Sequence, residues 1–218
     1  MSFSTEVKEE LSGQLSTARH CQIAELAALL SVIGKAEIDE FNNYELVLQT
    51  DNVAVARKTF ILLKETFNIC AGVSIKSSSR VRRNVSCRLR IENPKDTLRV
   101  LKALKLIDEE GRIIEREDFV NEMLISNSCC KRAFVRGLFL ASGSVTDPNK
   151  PYHFEIVCQN DRKAEQLREV IASFGIEARV VERKNHSVVY IKGGDLISDM
   201  LNIMEAHVAL FSLENFRI

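Results

Sequence analysis

The residues best placed for chemistry form a basic segment of the chain. It contains six cations and no acid: Lys76, Arg80, Arg82, Arg83, Arg88 and Arg90. Guanidinium and ammonium groups contact phosphate oxygens in nucleic-acid complexes. Around Arg88 and Arg90, polar and apolar residues alternate, which predicts a strand with its cations on one face. We therefore predict a phosphate-binding face on this hairpin, and Ser78 falls on the same face. A solvated strand face without a partner is the alternative interpretation.

A second, weaker candidate lies later in the chain. Arg179 and Arg183 fall in another predicted hairpin, but Glu177 and Glu182 interleave with them. This mixture predicts one-sided DNA contact rather than a symmetric grip from both hairpins. No aromatic residues interleave the basic segment, which argues against stacking on single-stranded bases. Double-stranded DNA is therefore the predicted partner.

The six cysteines do not follow a metal-binding or disulfide spacing. They are Cys21, Cys70, Cys87, Cys129, Cys130 and Cys158, and none forms a Cys-x-x-Cys pair. The adjacent residues Cys129 and Cys130 have a poor geometry for an ordinary disulfide or for tetrahedral zinc. We interpret the cysteines as reduced, buried thiols, with metal binding as the alternative. We therefore expect no metal site and no cofactor.

Sequence motifs of other enzyme classes do not appear. The four histidines, His20, His153, His186 and His207, are isolated in sequence, which favours surface or hydrogen-bonding roles. The segment Gly193-Gly194-Asp195 lacks the lysine and hydroxyl residue of a phosphate-binding loop. Ser142 and Ser144 lack the Gly-x-Ser-x-Gly frame of a hydrolase nucleophile. These motifs therefore give no support for an enzyme.

The overall composition limits the partners of the chain. Its 218 residues include 30 basic and 30 acidic side chains, and 45% of the residues are hydrophobic. A balanced charge gives no global attraction to nucleic acid, so any nucleic-acid surface must be local. The N-terminus lacks the apolar region of a signal peptide, and no apolar run approaches membrane-spanning length. We expect a cytoplasmic protein without a membrane partner.

Two apolar segments of helical length organise the predicted structure, one at residues 24–36 and the other at residues 133–145, and the first helix is predicted at about residues 22–33. Small residues recur one helical turn apart in both of them: Ala24 and Ala28, and then Ala133, Gly137 and Ala141. The helices end at Gly34 and Gly143, and one constant offset along the chain relates all the matching positions. Small residues at this spacing let two helix backbones approach closely. The two helices are therefore predicted to pack against each other.

The elements around the two helices recur in the same order. An amphipathic helix at about residues 5–15 comes first. After each apolar helix, the sequence predicts two strands, a helix, two strands and a helix. In the first repeat these lie at residues 35–39, 44–50, 52–67, 73–79, 85–91 and 94–104. In the second repeat they lie at residues 144–146, 152–159, 160–172, 176–182, 187–192 and 195–204.

This repetition predicts an α+β fold. Two αββαββα units would form two antiparallel four-stranded sheets, related by a pseudo-two-fold axis at the paired helices. The predicted boundaries are an N-terminal helix at 1–20, a first repeat at 21–110, a linker at 111–128 and a second repeat at 129–218. The connecting segment is acid-rich, and Phe119, Val120, Met123 and Leu124 suggest a short helix within it.

The segments AALLSVIG and RGLFLASG resemble the LAGLIDADG helix of homing endonucleases. More closely, AELAALLS, RGLFLASGSVTDP and the closing LFSLENFRI are similar to the WhiA family of bacterial sporulation and cell-division regulators. The resemblance covers essentially the whole chain. It implies a DNA-binding transcription regulator of cell division, chromosome segregation and sporulation that acts at promoter regions in the nucleoid.

The same resemblance implies further properties of the chain. RNA polymerase or another regulator is the implied protein partner, and a monomer with internal pseudo-symmetry is the expected state. The family normally continues into a helix-turn-helix domain beyond the position of Ile218. The chain is therefore expected to correspond to the N-terminal part of such a protein.

The ends of the paired helices decide whether the resemblance extends to catalysis. A LAGLIDADG nuclease carries one metal-binding carboxylate per repeat directly before the glycine, and these acids hold the ions that activate water. Here Ile33 and Ser142 occupy those positions, and neither replaces a carboxylate. The nearest acids, Asp39 and Asp147, lie past the glycines, in or near the following strand and turn, and Asp147 is expected to stabilise a turn or cap a helix rather than to form a relocated metal site. We expect a domain without nuclease activity; a protein-interaction module and an active DNA endonuclease are the alternatives.

Overall fold

The computed structural model describes residues 2–78 and 84–216, and the elements below lie within those ranges. The helices are α1 (Phe3–Gly13), α2 (Arg19–Ile33), α3 (Val53–Phe67), α4 (Pro94–Ala103), α5 (Ser128–Ser142), α6 (Asp161–Ala172), α7 (Gly194–Ile203) and α8 (His207–Asn215). The strands are β1 (Gly34–Ile38), β2 (Tyr44–Thr50), β3 (Gly72–Ser78), β4 (Asn84–Arg90), β5 (Gly143–Val145), β6 (His153–Cys158), β7 (Arg179–Arg183) and β8 (His186–Lys192).

Each repeat contains one antiparallel four-stranded sheet. The strand order is β1-β2-β4-β3 in the first sheet and β5-β6-β8-β7 in the second, so the two repeats share one topology. Helices cover one face of each sheet, where the central strands bury Leu46, Leu48, Leu89, Phe154, Ile156 and Ile191. The other face of each sheet is left open. The predicted α+β fold with a duplicated αββαββα order is confirmed.

Helices α2 and α5 are equivalent in the two repeats and pack directly against each other. Both contain 15 residues, and the same offset along the chain separates their first residues and their last residues. A Cβ atom on Gly137 would lie 2.7 Å from the main-chain oxygen of Glu25 and 2.9 Å from the Cβ of Ala28. The two backbones therefore approach closely because Gly137 has no side chain. The predicted packing of the two helices is confirmed.

Glu25 lies at the centre of a buried ionic network between the helices. Its carboxylate accepts hydrogen bonds from Arg136 Nε at 3.1 Å and from Arg136 Nη2 at 3.0 Å. It also pairs with Lys58 Nζ of α3 at 3.0 Å. The exposed fraction of these three side chains is 1% or less. Arg136 further donates to Glu205 at 2.6 Å and to Ser16 Oγ at 2.8 Å. The network thus connects α2, α3 and α5 with the segments that follow α1 and α7.

The charges of this network balance when the partly exposed Glu205 is included. Burial lowers the pKa of Lys58, and the neighbouring Glu25 opposes that shift. Burial alone would lower the pKa of Arg136 as well, but Glu25 and Glu205 hold it above its ordinary value. Two acids therefore face two bases. Such a network tolerates burial only while every partner is present.

Two helices, α1 and α8, differ from the sequence prediction. Helix α1 covers Phe3–Gly13 rather than residues 5–15, because Ser2 caps it and accepts a hydrogen bond from the Thr5 N–H at 3.3 Å. Leu15, predicted to extend the apolar stripe, is outside the helix and 38% exposed. Helix α8 was not predicted, since its apolar residues Val208 and Phe211 face solvent instead of forming one buried stripe.

Two further boundaries differ in the linker and in the second sheet. The predicted linker helix is a short 3-10 helix at Glu122–Ile125. Phe119 and Val120 lie before it because their N–H groups donate to the Gln166 side chain of α6, at 2.9 and 3.2 Å, instead of to helical carbonyls. Strand β7 begins at Arg179 rather than at residue 176.

We predict that the substitution Glu25→Gln will destabilise the fold by about 3–5 kcal/mol, because it leaves two buried cations without their central carboxylate. Urea unfolding followed by circular dichroism measures the change. The matched control is Glu9→Gln, which removes a carboxylate from an exposed 2.7 Å pair with Arg57 and should cost less than about 1 kcal/mol. Similar losses for the two variants would contradict the proposed importance of the network.

We predict that Gly137→Ala will destabilise the fold by about 1–3 kcal/mol, because the new methyl group would meet backbone atoms and force α2 and α5 apart. The control is Gly13→Ala, since a Cβ atom at Gly13 has no neighbour within 4 Å. Thermal unfolding of both variants tests this prediction. A Gly137→Ala protein as stable as the control would show that the helix pair can separate freely.

Candidate functional site

The predicted cations of the first sheet lie on its open face. In the β3–β4 ladder, Lys76 lies opposite Ser86, and Ser74 lies opposite Arg88. Directly opposite residues in an antiparallel pair share a face, and residues two apart in a strand share it as well. Lys76, Arg88 and Arg90 therefore project from the same face, and all three are exposed.

The charges on this open face do not cancel. Four basic and two acidic residues share this face: Lys35, Lys76, Arg88, Arg90, Glu37 and Glu45. Arg90 Nη2 pairs with Glu45 Oε1 at 2.5 Å, and Lys35 pairs with Glu37. In the part of the chain that the structure describes, neither Lys76 nor Arg88 forms an ion pair. These two side chains are the cations available for a ligand on this face.

The structure describes only part of the predicted site in the first hairpin. Arg80, Arg82 and Arg83 lie outside the described residues. The backbone of Ser78 pairs with that of Asn84 at the end of the β3–β4 ladder.

The apolar face of the same hairpin is less covered than its alternation suggests. Val73 and Ile75 lie opposite Leu89 and Cys87, as the alternation predicts. However, Val73 is 50% exposed and Ile75 is 61% exposed. The reason is that β3 is an edge strand, so its apolar side chains extend beyond the helices that cover the centre of the sheet.

The second sheet also carries its cations on the open face. Arg179 lies opposite Tyr190 and Arg183 lies opposite His186, two positions of β8 that share one face. Glu182 lies opposite Ser187 and therefore projects from the other face. The acid that interleaves with the cations in sequence is thus separated from them in space. Glu177 stays close, with 3.9 Å between its Oε1 and Arg179 Nε.

The open face of the second sheet holds one further cation and one acid. Lys192 lies opposite His153, and Glu155 lies opposite Tyr190. Glu155 Oε2 contacts His153 Nε2 at 3.0 Å and Arg183 Nη2 at 3.9 Å. Three basic residues therefore share this face with one acid. Lys35 and Lys192 were not predicted as site residues, although the alternation of their own strands places them beside the predicted cations.

An apolar strip separates the charged ends of the second open face. Val157 and Val181 are 36% and 38% exposed, and each lies opposite the buried Val188. Tyr190 stacks on His153 with 5.8 Å between the ring centroids. The first and second open faces therefore differ in polarity, although both carry excess positive charge.

The glycine ends of α2 and α5 do not fit a divalent metal ion of the endonuclease type. Ile33 offers no ligand atom, and Ser142 Oγ donates its hydrogen bond to the Val157 carbonyl oxygen at 2.9 Å. Such ions require carboxylate oxygens. Asp39 accepts from the Asn43 N–H at 2.7 Å, and Asp147 accepts from the Asn149 N–H at 3.0 Å. Both carboxylates thus stabilise turns, as the sequence predicts for Asp147.

These hydrogen bonds also lower the pKa values of Asp39 and Asp147. Bonds from the backbone N–H groups of Asn43 and Asn149 hold the pKa values of Asp39 and Asp147 below the ordinary range. Both acids are therefore charged at neutral pH, and their oxygens are directed into their own turns.

The cysteines occupy both buried and exposed positions. Cys21, Cys87, Cys130 and Cys158 are buried, as the sequence suggested, but Cys70 and Cys129 are exposed. Burial raises the pKa of Cys158 to about 12, so this thiol stays protonated and unreactive. The structure also brings Cys21, Cys129 and Cys130 together with His20, which spacing along the chain did not predict. In the described part of the chain, every helix is too short or too polar to cross a membrane.

Two family models cover most of the chain. Residues 19–107 match the WhiA N-terminal LAGLIDADG-like domain, and residues 131–218 match the WhiA LAGLIDADG-like domain. A relative named probable cell division protein WhiA, from Lachnoclostridium phytofermentans, is 47% identical over 218 residues. That match covers 100% of this chain and 69% of the relative. The chain therefore spans about two thirds of the length of this relative.

Solved structures share the same architecture. The crystal structure of the N-terminal LAGLIDADG domain of DUF199/WhiA matches with a TM-score of 0.68 and 22% identity, over 93% of this chain and 90% of that one. The homing endonuclease I-DmoI, solved in complex with DNA and Mn, matches with a TM-score of 0.57 and 16% identity, over 86% of this chain and 98% of that one. Identities this low show a shared fold alone. With its two matched domains and its close relative, the chain belongs to the WhiA family of cell division proteins and has a LAGLIDADG homing-endonuclease-like fold.

Proposed function

We propose that this chain is a non-catalytic, DNA-binding LAGLIDADG-like unit of a transcription regulator that controls cell division, chromosome segregation and sporulation. The observation that carries this proposal is the positive charge of Lys76 and Arg88 on the open face of the first sheet, since neither side chain forms an ion pair with another described residue. The endonuclease I-DmoI, which shares the fold, was solved in complex with DNA.

The distribution of charge supports contact with phosphates. Among the described, paired strand residues, the two open faces together hold seven basic and three acidic side chains, although the whole chain holds 30 of each. Concentrated positive charge attracts the DNA backbone and releases its counterions. Phosphate contacts of this kind position a protein on DNA without reading its sequence. The unit would therefore hold the regulator at promoter regions of the nucleoid, and another part of the regulator would supply base recognition. We propose that the unit does so as a monomer.

The ends of the paired helices support the absence of nuclease activity. Ile33 and Ser142 stand where a nuclease of this fold needs two carboxylates, and Ser142 Oγ is already bonded to a main-chain oxygen. Without carboxylates, no ion is held there to activate water or to stabilise a leaving oxygen.

A second candidate function is a protein-interaction module of the same regulator, with RNA polymerase or another regulator as its partner. The exposed valines Val157 and Val181 on the second open face favour it, because apolar surface suits a protein better than a phosphate backbone. The acidic linker is less suited to this role. Arg112 pairs with Asp108 at 2.7 Å and with Glu110 at 2.9 Å, so much of its charge is neutralised internally.

We predict that Arg88→Gln and Lys76→Gln will each weaken binding of this chain to duplex DNA of any sequence. Each lost phosphate contact should reduce the slope of log K against log salt concentration by about 0.9. Fluorescence anisotropy over a salt series measures both quantities. Arg88 is a better probe than Arg90, because Arg90 is already paired with Glu45.

The control for this experiment is Lys64→Gln. Lys64 is exposed on α3, on the helical side of the first sheet, and its substitution changes the net charge equally. The control should keep the slope of the parent protein. If all three variants show the same slope as the parent, the open face of the first sheet does not contact DNA.

We predict that the chain will leave supercoiled plasmid DNA intact in the presence of Mg²⁺ or Mn²⁺, because the helix ends lack carboxylates. Agarose gel electrophoresis compares these reactions with a reaction that contains EDTA. Metal-dependent nicking that Asp39→Asn or Asp147→Asn abolishes would contradict the proposal, since it would reveal a relocated nuclease site.

A further inference from the structure

Four side chains meet where helices α2 and α5 begin. His20 and Cys21 lie in the first turn of α2, and Cys129 and Cys130 lie in the first turn of α5. One ligand atom from each residue lies within 4.8 Å of the other three. His20 Nε2 is 3.4 Å from Cys129 Sγ. We propose that these residues form a Cys₃His site for a single zinc ion.

The distances fit one tetrahedral ion. Zinc binds thiolate sulfur at about 2.3 Å and imidazole nitrogen at about 2.0–2.1 Å, so neighbouring ligand atoms in a tetrahedron are separated by about 3.4–3.8 Å. The observed nitrogen–sulfur distance is within this range, and small side-chain rotations close the remaining gaps. An iron–sulfur cluster needs its thiolates further apart, because each one binds the outside of the cluster. Three sulfurs and one imidazole also exclude Mg²⁺ and Ca²⁺, which prefer oxygen ligands.

The site combines two half-sites from the two repeats. His20 and Cys129 occupy equivalent positions at the offset that relates α2 to α5, and so do Cys21 and Cys130. Adjacent residues on one helix point about 100° apart, so neither pair could enclose an ion alone. Two pairs that face each other across the helix interface can do so. This explains why the spacing of the cysteines within each helix argued against a metal site.

The surroundings of the four residues suit a structural ion that solvent can reach. Cys21 and Cys130 are buried and pack with Ala24 and Ala133, whereas His20 and Cys129 are exposed. In residues 2–78 and 84–216, no other group of three or more histidine, cysteine, aspartate or glutamate side chains converges this closely. The helix N-termini carry partial positive charge, which favours the thiolate form that zinc requires.

The proposed ion would join the two repeats directly. It lies at the opposite end of α2 and α5 from Gly34 and Gly143, where the nuclease ions of this fold would bind. Its role is therefore structural and separate from DNA cleavage. Because the ligands come from both repeats, loss of zinc would loosen the pairing of the two helices.

A cobalt titration of the full chain tests this proposal. The protein is produced without a histidine tag and kept reduced under anaerobic conditions. We expect one Co²⁺ per chain, with sulfur-to-cobalt charge-transfer absorption and the visible bands of tetrahedral coordination, and we expect Zn²⁺ to displace it. Cys129→Ser and His20→Ala alter exposed ligands, so both variants should fold. Each should lose at least the roughly 10–100-fold of metal affinity that loss of a second-shell partner costs.

The matched control is Cys70→Ser, which removes an exposed cysteine far from the site in sequence. It should bind Co²⁺ like the parent protein, and Zn²⁺ should raise the thermal unfolding midpoint of both. Cys129→Ser should show no such rise. The proposal would be overturned if the parent protein showed no thiolate–cobalt absorption. It would also be overturned if the parent protein and Cys129→Ser showed equal absorption. A disulfide between the two helices in the anaerobic protein would overturn it as well.

Discussion

The carboxylate of Glu25, held between Arg136 and Lys58, is the interaction on which the arrangement of the helices depends. All three groups are removed from water, so each is tolerated only when the other two are in place. The fork of Arg136 can reach both oxygens of Glu25 because α2 and α5 lie close together at Gly137. A displaced helix would leave a buried charge without its partner. The network therefore selects one packing of the two repeats and excludes shifted alternatives.

The two sheets take their orientation from this helix pair. Each uses its apolar face to cover helices and leaves its other face free, as an antiparallel sheet packed on one side does. Positive side chains accumulate on both free faces, and the second face adds a strip of valines. The helix ends meanwhile hold Ile33 and Ser142, so the scaffold of an endonuclease is retained without the carboxylates of its reaction.

The strong periodicity of the apolar residues, and the glycines that end the paired helices, made most of the fold predictable. The recurrence of the paired helices and of the elements that follow them identified the order of helices and strands correctly. Side-chain partners across long stretches of chain were not predictable. Glu182 faces away from Arg183 because neighbouring side chains alternate along β7, whereas the predicted strand ended at residue 182. Nothing local shows that Glu25 meets Arg136, because that contact depends on packing. The convergence of His20 with three cysteines was missed for the same reason.

The central ionic network also breaks the equivalence of the two repeats. At the offset that relates α2 to α5, the counterpart of Glu25 is Phe134 and the counterpart of Arg136 is Ala27. In a pair made of two copies of the first repeat, each Glu25 would meet Ala27 of the other copy and would have no guanidinium to donate hydrogen bonds to its carboxylate. Two copies of the second would bury Arg136 without an acid. The halves are thus not interchangeable: neither one could form the buried network as a homodimer, and a single polypeptide keeps the mutually dependent halves in equal amounts.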